Sequence, residues 1–444
     1  MTQPLAEDWN LVPSSRELGS SVTAVLAGTV LVFHSVQGQV TAGGVELVVN
    51  DHVTGAVMAL PHRSSAWTDA VYVVCSSSSV DGVKVASTAG DWLSQPMSTV
   101  SVVIPCYKYG HFLADCVSSV LDEQDGVDVR VLIIDDASPD DSAETALKLA
   151  AADSRIQVRV HETNKGHIAT YNEGLLEWAD GDYVALLSAD DRLVPGALVR
   201  SAALLDAHPE AGFAYGRPLR FQHGGPLPRA RTSGTGSTVY PGHWWLDRRF
   251  REGTGCITSP EVVVRTSLQR EVGGYDPELP HAGDIEMWMR LAARADVGYV
   301  RGADQAFYRV HGNNMSTTDF GGQLDDLRQR LVAYDSVLDK CADLLPQADR
   351  LAEAVHTRLA RFALRRAYRA YDRGRTEVVP VDELVAFAEE CLPEYEALSE
   401  YRALRLRQRI GAKTMPYLQP LVWSAVAERG REWLWWESWK RRGI

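Results

Sequence analysis

Tyr183-Val-Ala-Leu-Leu-Ser-Ala-Asp190-Asp191 is the stretch from which the architecture of this chain can be read. The apolar run from Tyr183 to Leu187 has the length and composition of a buried strand, and it delivers two adjacent carboxylates to its C-terminal end. In open α/β sheets that edge is where ligands bind. Packing does not ask for paired Asp side chains there. A divalent cation holding a diphosphate does, because Mg²⁺ and Mn²⁺ favour carboxylate oxygen and take one or two protein carboxylates together with phosphate oxygens. The pair also has a plainer reading, as the N-cap of a helix near Pro195, since Asp is a favoured capping residue.

The neighbouring sequence supports the sheet. Val100–Ile104 reads as a strand bounded by Pro105, and His111–Leu121 as a helix with Phe112, Cys116, Val117, Val120 and Leu121 on one face. Val129–Ile134 is a second strand ending in Asp135-Asp136-Ala-Ser138. A helix over Asp140–Ala152, a strand over Ile156–Val160 and a helix over Ile168–Trp178 follow. Strand–helix alternation of this kind predicts right-handed βαβ units and a largely parallel sheet.

A chain of 444 residues is too long for one ordinary core, so two or three domains are expected. The formal net charge of -13 argues against a nucleic-acid binder. Six scattered cysteines without CxxC pairs indicate neither a zinc site nor a disulfide framework and fit a reducing cytoplasm. No signal peptide or transmembrane stretch is visible. Residues 1–97 are rich in Val, Ser, Thr and Gly, with strands expected at Val22–Phe33, Val45–Val49, Ala56–Leu60, Ala70–Cys75 and Val83–Ser87, a small antiparallel β domain. Residues 321–444 read as helical, over Leu324–Leu345, Leu351–Tyr371 and Val381–Ala397. Residues 401–444 carry ten Lys/Arg against three Asp/Glu, interleaved with Trp423, Trp433, Trp435, Trp436 and Trp439. That mixture suits peripheral contact with the inner face of a membrane. Equally, it suits a helix docking its Trp residues on the preceding domain or on a second subunit.

Ordered motifs then carry a family resemblance. Val103-Ile-Pro105-Cys-Tyr107, Ile133-Ile-Asp135-Asp136, Asn164-Lys-Gly166…Asn172-Glu-Gly174, Ser188-Ala-Asp190-Asp191, Gly283-Asp284-Ile-Glu286-Met-Trp288 and Tyr308-Arg309-Val-His311 occur in sequence. Residues 98–315, within a domain expected over 98–320, resemble family 2 glycosyltransferases, the nucleotide-sugar-dependent type. The resemblance implies a GT-A fold, Rossmann-like α/β with a mostly parallel sheet, preceded here by the β-rich domain and followed by the helical region. It implies that Pro105 and Tyr107 line the nucleobase pocket and that Asp136, or Asp135, accepts a hydrogen bond from base or ribose. Asn164, Gly166, Asn172, Ser188, Asp191 and Arg309 are the further nucleotide contacts it implies. Asp190, Asp191 and His311 would hold Mn²⁺ or Mg²⁺. Asp284 would be the general base toward an acceptor hydroxyl, with Glu286 as the secondary choice. Departures from the family pattern are Tyr171 in place of Arg, Ser188 in place of Asp and Gly283 in place of Glu.

The expected activity is therefore inverting, metal-dependent sugar transfer from a nucleoside diphosphate sugar, UDP-sugar by default, to an acceptor hydroxyl. A catalytically silent nucleotide-sugar-binding scaffold is the alternative. A sugar-phosphate nucleotidyltransferase is a weaker one, because Cys106-Tyr-Lys-Tyr-Gly stands where its Gly-rich basic loop would be. The Gly- and Pro-rich stretch from Gly216 to Ser259, with His243-Trp244-Trp245, reads as a long loop where an acceptor lid would sit.

Overall fold

The computed structural model describes residues 97–312, 314, 323–418, 430, 434 and 436–444, together with the backbone of six strands before residue 76. It divides into two compact units, Met1–Pro96 and Met97–Ile444. In the first, three antiparallel pairs are formed. These are β1 (Glu17–Leu26) with β2 (Thr29–Val36), β3 (Gly38–Ala42) with β4 (Val45–Val49), and β5 (Ala56–Leu60) with β6 (Val71–Cys75). The stretch expected as one strand, Val22–Phe33, is two, because Leu26 pairs with Thr29 and the chain doubles back as a hairpin. The strand expected at Val83–Ser87 lies outside the described residues.

The second unit opens with the expected alternation: β7 (Thr99–Cys106), α1 (Gly110–Leu121), β8 (Asp128–Asp135), α2 (Ser142–Ala152) and β9 (Ile156–Val160). Next come α3 (His167–Asn172), which continues as a π-helical turn over Glu173–Trp178, and β10 (Tyr183–Leu186). Strands β10, β7, β8 and β9 lie side by side and parallel. Both faces of this sheet are covered, which is why its strands read as unbroken apolar runs. Val102, Ile104, Val131 and Ile133 share one core with Leu113, Cys116 and Val120 of α1. Val103, Leu132, Ile134 and Val184 face the opposite core.

Beyond β10 the chain adds β11 (Arg192–Leu193), α4 (Ala197–Ala207), β12 (Ala211–Gln222), β13 (Gly236–Tyr240), α5 (Gly242–Glu252), β14 (Val263–Arg265), α6 (Thr266–Val272), α7 (Gly283–Ala292) and β15 (Asp296–Val310). Strand β14 pairs antiparallel with both β10 and β12, and β12 runs parallel to β15. The sheet order is β11-β15-β12-β14-β10-β7-β8-β9, with β13 on β15. The stretch from Gly216 to Ser259 thus carries the end of β12 and all of β13 and α5, and is not one long loop. Its Trp245, Leu246 and Phe250 form a buried face of α5, and that apolar stripe pulls the segment onto the sheet.

Helices α8 (Gln323–Lys340), α9 (Ala348–Asp372), α10 (Val381–Cys391) and α11 (Ser399–Ile410) follow. The helix expected to reach Ala397 stops at Cys391, just before Pro393, which lacks the amide a continuing helix needs. Tyr334, Val337, Leu359, Leu364 and Phe387 join the same core as Phe213 and Trp288, so the helices extend the core of the sheet. Cys106, Cys116, Cys256, Cys341 and Cys391 are buried free thiols. Among the described residues no helix is long and apolar enough to cross a membrane.

Trp439 of the C-terminal segment is buried, and its indole N–H donates to the Cys256 carbonyl at 2.9 Å. Trp436 stacks on it at 4.8 Å. Of the two roles considered for this segment, docking on the preceding domain is therefore realised by Trp439. Trp423, Trp433 and Trp435 lie outside the described residues.

Gly174, in the π-helical turn, sits against β7 so closely that a Cβ there would lie 2.3 Å from Val103 Cγ1. Gly174→Ala is expected to cost about 1–3 kcal/mol by overpacking. A denaturant titration checks this through a lower midpoint at unchanged slope.

Candidate active site

The C-terminal ends of β7, β8 and β10 lie at one edge of the sheet, since Cys106 pairs with Asp135 and Leu186 with Val103. Chain segments leaving that edge enclose a cleft of about 820 Å³. Pro105, Tyr107, Asp136, Asn164 and Gly166 line one side. Ser188, Asp190 and Asp191 form its floor, and Ser259, Tyr275, His281 and Asp284 the other wall. Residues separated by up to 209 positions, from Pro105 to Asn314, thus meet in one cavity.

On the first side, Asp136 organises the loop. Its carboxylate accepts from the Lys165 and Gly166 amides at 2.8 and 2.9 Å and lies 2.7 Å from His161 Nδ1. His161 Nε2 in turn lies 3.0 Å from Glu173. Burial would raise the Asp136 pKa, but His161 and the two amides outweigh it and hold the carboxyl below its usual range. Gly166 adopts φ +86°, a conformation costly for any residue with a Cβ, and this turns its N–H onto Asp136. Asn164 reinforces the turn by donating to the Asp136 carbonyl at 3.1 Å. Tyr107 is 40% exposed at the rim, where its ring is available for stacking, with Lys108 Nζ 4.8 Å from the ring centre.

On the floor, the two adjacent carboxylates are treated differently. The Asp190 carboxylate lies 2.9 Å from His311 Nε2. Asp191 accepts the Arg309 amide at 2.8 Å. Burial, and then the charge of Asp190, push the Asp191 carboxyl well above its usual range. Arg309 does not line the cleft. Its guanidinium donates to the Asp190 carbonyl at 2.7 Å and lies between the rings of Phe112 and Phe221, at 4.4 and 4.6 Å. It is a bracket that orients the acidic pair.

Two other expected nucleotide contacts also lie off the cleft. Asn172 donates to the Tyr275 carbonyl at 2.8 Å and accepts the Tyr275 amide at 2.6 Å, so its amide is spent holding that loop. Asp135 is buried and caps Ser138 N–H at 3.0 Å. Glu286, the secondary choice of base, is fully buried between Arg290 at 2.7 Å and Lys340 at 2.9 Å, tying α7 to α8. The aromatic pair of α5 is also elsewhere, with Trp245 in the core and Trp244 stacked on Tyr240.

The far wall holds residues that motif reading missed. Asp284 accepts the Ser259 hydroxyl at 2.5 Å. Ser259 stands at φ +102°, a strained conformation for a non-glycine residue, and strain of this kind clusters at functional sites. Burial raises the Asp284 carboxyl, against the opposing pull of Ser259 and Tyr275. Tyr171, where the family often has Arg, packs between His167 and Tyr275 at 5.4 and 5.5 Å. Burial raises its hydroxyl pKa, and the charges of Asp284, Asp190 and Asp191 all add to the effect. Glu261 lies behind Ser259 and accepts the Thr258 amide at 2.7 Å. Its other oxygen is buried with no partner among the described residues. No motif signals Ser259 or Glu261; only the fold brings them near Asp284.

The donor set suits a cation shared with phosphate. One carboxylate and one imidazole sit together at Asp190 and His311, ligand types compatible with Mn²⁺ or Mg²⁺. Among the described residues no group of three or more His, Cys, Asp or Glu can enclose a metal ion by itself. Phosphate oxygens or water would complete the shell.

The family model for glycosyl transferase family 2 matches residues 101–265. Residues 101–265 are a family 2 glycosyltransferase domain. The sheet edge, the Asp136 loop and the acidic pair fall inside this domain, and Asp284 and His311 after its matched span. Putative teichuronic acid biosynthesis glycosyltransferase TuaG of Bacillus subtilis is 28% identical over 49% of this chain and 81% of its own length. Hyaluronan synthase of Pasteurella multocida is 26% identical over 50% of this chain but 22% of its own. The chain spans between a fifth and about two thirds of the first three curated relatives it matches. Among solved structures, S. aureus TarS 1-349 in complex with UDP-GlcNAc superposes with a TM-score of 0.50 at 16% identity, over 72% of this chain and 89% of that one. That likeness confirms the GT-A fold around the glycosyltransferase domain.

Burial pushes the Glu261 carboxyl up to about 8, with the Thr258 amide opposing. An unfolded chain releases this proton near pH 4.3. Between those values the folded state holds a proton that the unfolded state has lost, so this site stabilises the fold less and less as pH rises from 4.3 toward 8. Glu261→Gln, which cannot ionise, is expected to gain stability over the parent at up to about 1.4 kcal/mol per pH unit across that window. Melting curves at pH 5.5 and 7.5 check it; a difference independent of pH would mean that Glu261 is already ionised.

Proposed function

We propose that this protein transfers a sugar from a nucleoside diphosphate donor to an acceptor hydroxyl with inversion at the anomeric carbon. The single observation that carries this reading is that Asp190, with His311 on it, and Asp284 line one cleft. The nucleoside lies along Pro105, Tyr107 and Asp136, with Tyr107 against the base and the Asn164–Gly166 turn facing the ribose. UDP-sugars are the first donors to test. The diphosphate lies over Ser188 and Asp190. Mn²⁺ or Mg²⁺, when bound there, neutralises charge that builds on the leaving diphosphate. Asp190 and His311 hold it, while Asp191 stays turned toward the Arg309 amide and fixes the floor.

Asp284 takes the proton from the acceptor hydroxyl. That oxygen then attacks the anomeric carbon from the face opposite the diphosphate, and the bond to the diphosphate breaks. A carboxyl raised by burial is a better base at neutral pH than one in water. Ser259 and Tyr275 keep its oxygens oriented, and the strained Ser259 conformation is held for that purpose. The acceptor approaches between Tyr275, His281 and Tyr171. We further assign the catalytic portion to residues 98–320, with residues 321–444 bracing its acceptor wall.

Asp284→Asn is expected to bind nucleotide as the parent does and to lose sugar transfer by about 10²–10⁴-fold. Nucleotide release in the presence of acceptor, set beside nucleotide binding by calorimetry, measures both. Turnover at parental rate in this variant would place the base elsewhere. Asp190→Asn and His311→Ala are expected to raise the Mn²⁺ concentration for half-maximal activity by at least about tenfold. A metal titration with unchanged midpoints would remove both as ligands.

A further inference from the structure

Residues 436–444 are gripped by their backbone. Tyr215 of β12 and Tyr299 of β15 are register partners on adjacent strands, with rings 5.2 Å apart, and Tyr240 ends β13. All three hydroxyls donate to backbone carbonyls of this segment: Tyr215 to Gly443, Tyr240 to Arg442 at 2.7 Å and Tyr299 to Lys440 at 3.3 Å. Tyr215 and Tyr299 are buried, and a buried phenol needs such an acceptor. Gly443 adopts φ +74° and lies so close to the Tyr299 ring that a Cβ there would be 2.3 Å from Cδ2.

A further contact of this segment leads toward the cleft. The Trp439 indole donates to the Cys256 carbonyl at 2.9 Å, and both residues are buried. Cys256 Sγ also lies 4.0 Å from the Tyr215 hydroxyl, so the segment meets this position directly and through Tyr215. Cys256 belongs to the link between α5 and β14, which has no ladder of its own to fix it. The far half of that link closes on itself: Glu261 takes the Thr258 amide, and the Val262 amide donates to the Ser259 carbonyl at 3.1 Å. This turn sets the strained Ser259 on Asp284. Upstream, Gly255 packs beside Asp284, where a Cβ would lie 3.1 Å from Ile285 Cγ1. A strained backbone persists only when its surroundings over-determine it. The hold of Trp439 on Cys256 supplies such a constraint three residues before Ser259.

We propose that Trp439 is a positioning residue for Asp284: the docked 436–444 segment fixes Cys256, and through the Cys256–Ser259 link it fixes the hydroxyl that orients the carboxylate. The role of Asp284 as base rests on the sugar-transfer reading, whereas the coupling of the segment to the link does not. Two full-length variants test it. Gly443→Ala drives the segment off the Tyr299 ring without altering the residues that receive it, and Trp439→Phe keeps an aromatic ring but loses the N–H. Amide hydrogen exchange over residues 256–262 is expected to quicken by at least about tenfold in both, with residues 161–166 unchanged. Nucleotide binding by calorimetry is expected to stay at the parental value, while kcat for sugar transfer falls by about ten- to a hundredfold. A synthetic peptide of residues 436–444, added in excess to Gly443→Ala, is expected to restore both protection and turnover; the same peptide carrying Gly443→Ala is not. Equal exchange of the link in parent and variants would overturn the proposal whatever the activity. So would faster exchange with unchanged turnover, or a parallel loss of nucleotide binding and turnover, which is what a merely structural role gives. Faster exchange in variants of a parent that transfers no sugar supports the coupling and removes the sugar-transfer reading instead. If Gly443→Ala fails to fold, Trp439→Phe and its rescue by the peptide carry the test.

Discussion

Two neighbouring carboxylates at the end of a buried strand repel each other, and the site depends on how that repulsion is resolved. Arg309 resolves it from a strand far along the chain. Its amide takes Asp191 and its guanidinium takes the Asp190 carbonyl, while Phe112 and Phe221 hold the guanidinium from either side. The result is asymmetric, with one carboxylate committed to the scaffold and the other facing His311 and the cleft. Charge–charge cost on Asp191 is accepted because an amide hydrogen bond at 2.8 Å partly offsets it. Without the pairing of β11 with β15, which brings Phe307 beside Arg192, the bracket would have no fixed position.

The parallel half of the sheet was legible in the sequence because it is buried on both faces. Continuous apolar runs such as Val102–Ile104 and Val131–Ile134 have no competing interpretation once helices separate them. The region after Asp191 was less legible. Strands β12 and β13 carry Gly, Pro and Arg, and they are strands because β15 pairs with both of them, a partner some sixty or more residues further on. Local composition cannot report such a partner.

The site divides in the same way. Asp136, Gly166, Asp190 and Asp284 occur in short ordered motifs, and the fold places all four on the cleft. Asn172 and Arg309 occur in those motifs as well, yet Asn172 is spent on the Tyr275 backbone and Arg309 on Asp190, Asp191 and Asp115. A motif records that a residue type is wanted at a position without stating whether it faces ligand or frame. Ser259 and Glu261 had no signal at all, since their importance is a matter of which residues the fold sets beside them.

The two walls of the cleft also rest on different foundations. The Asp136 loop is tied within the parallel sheet and α3, through His161 and Glu173. The opposite wall is anchored to the helices that follow it: Lys340 of α8 holds Asp276, beside Tyr275, and Glu286, while Asp326 holds His281. Softening of the helical bundle by heat or by a core mutation would therefore reach one wall and spare the other. On the proposed function, a partly loosened molecule would keep its grip on nucleotide while its second substrate lost a defined seat, so affinity for the two would decay at separate temperatures.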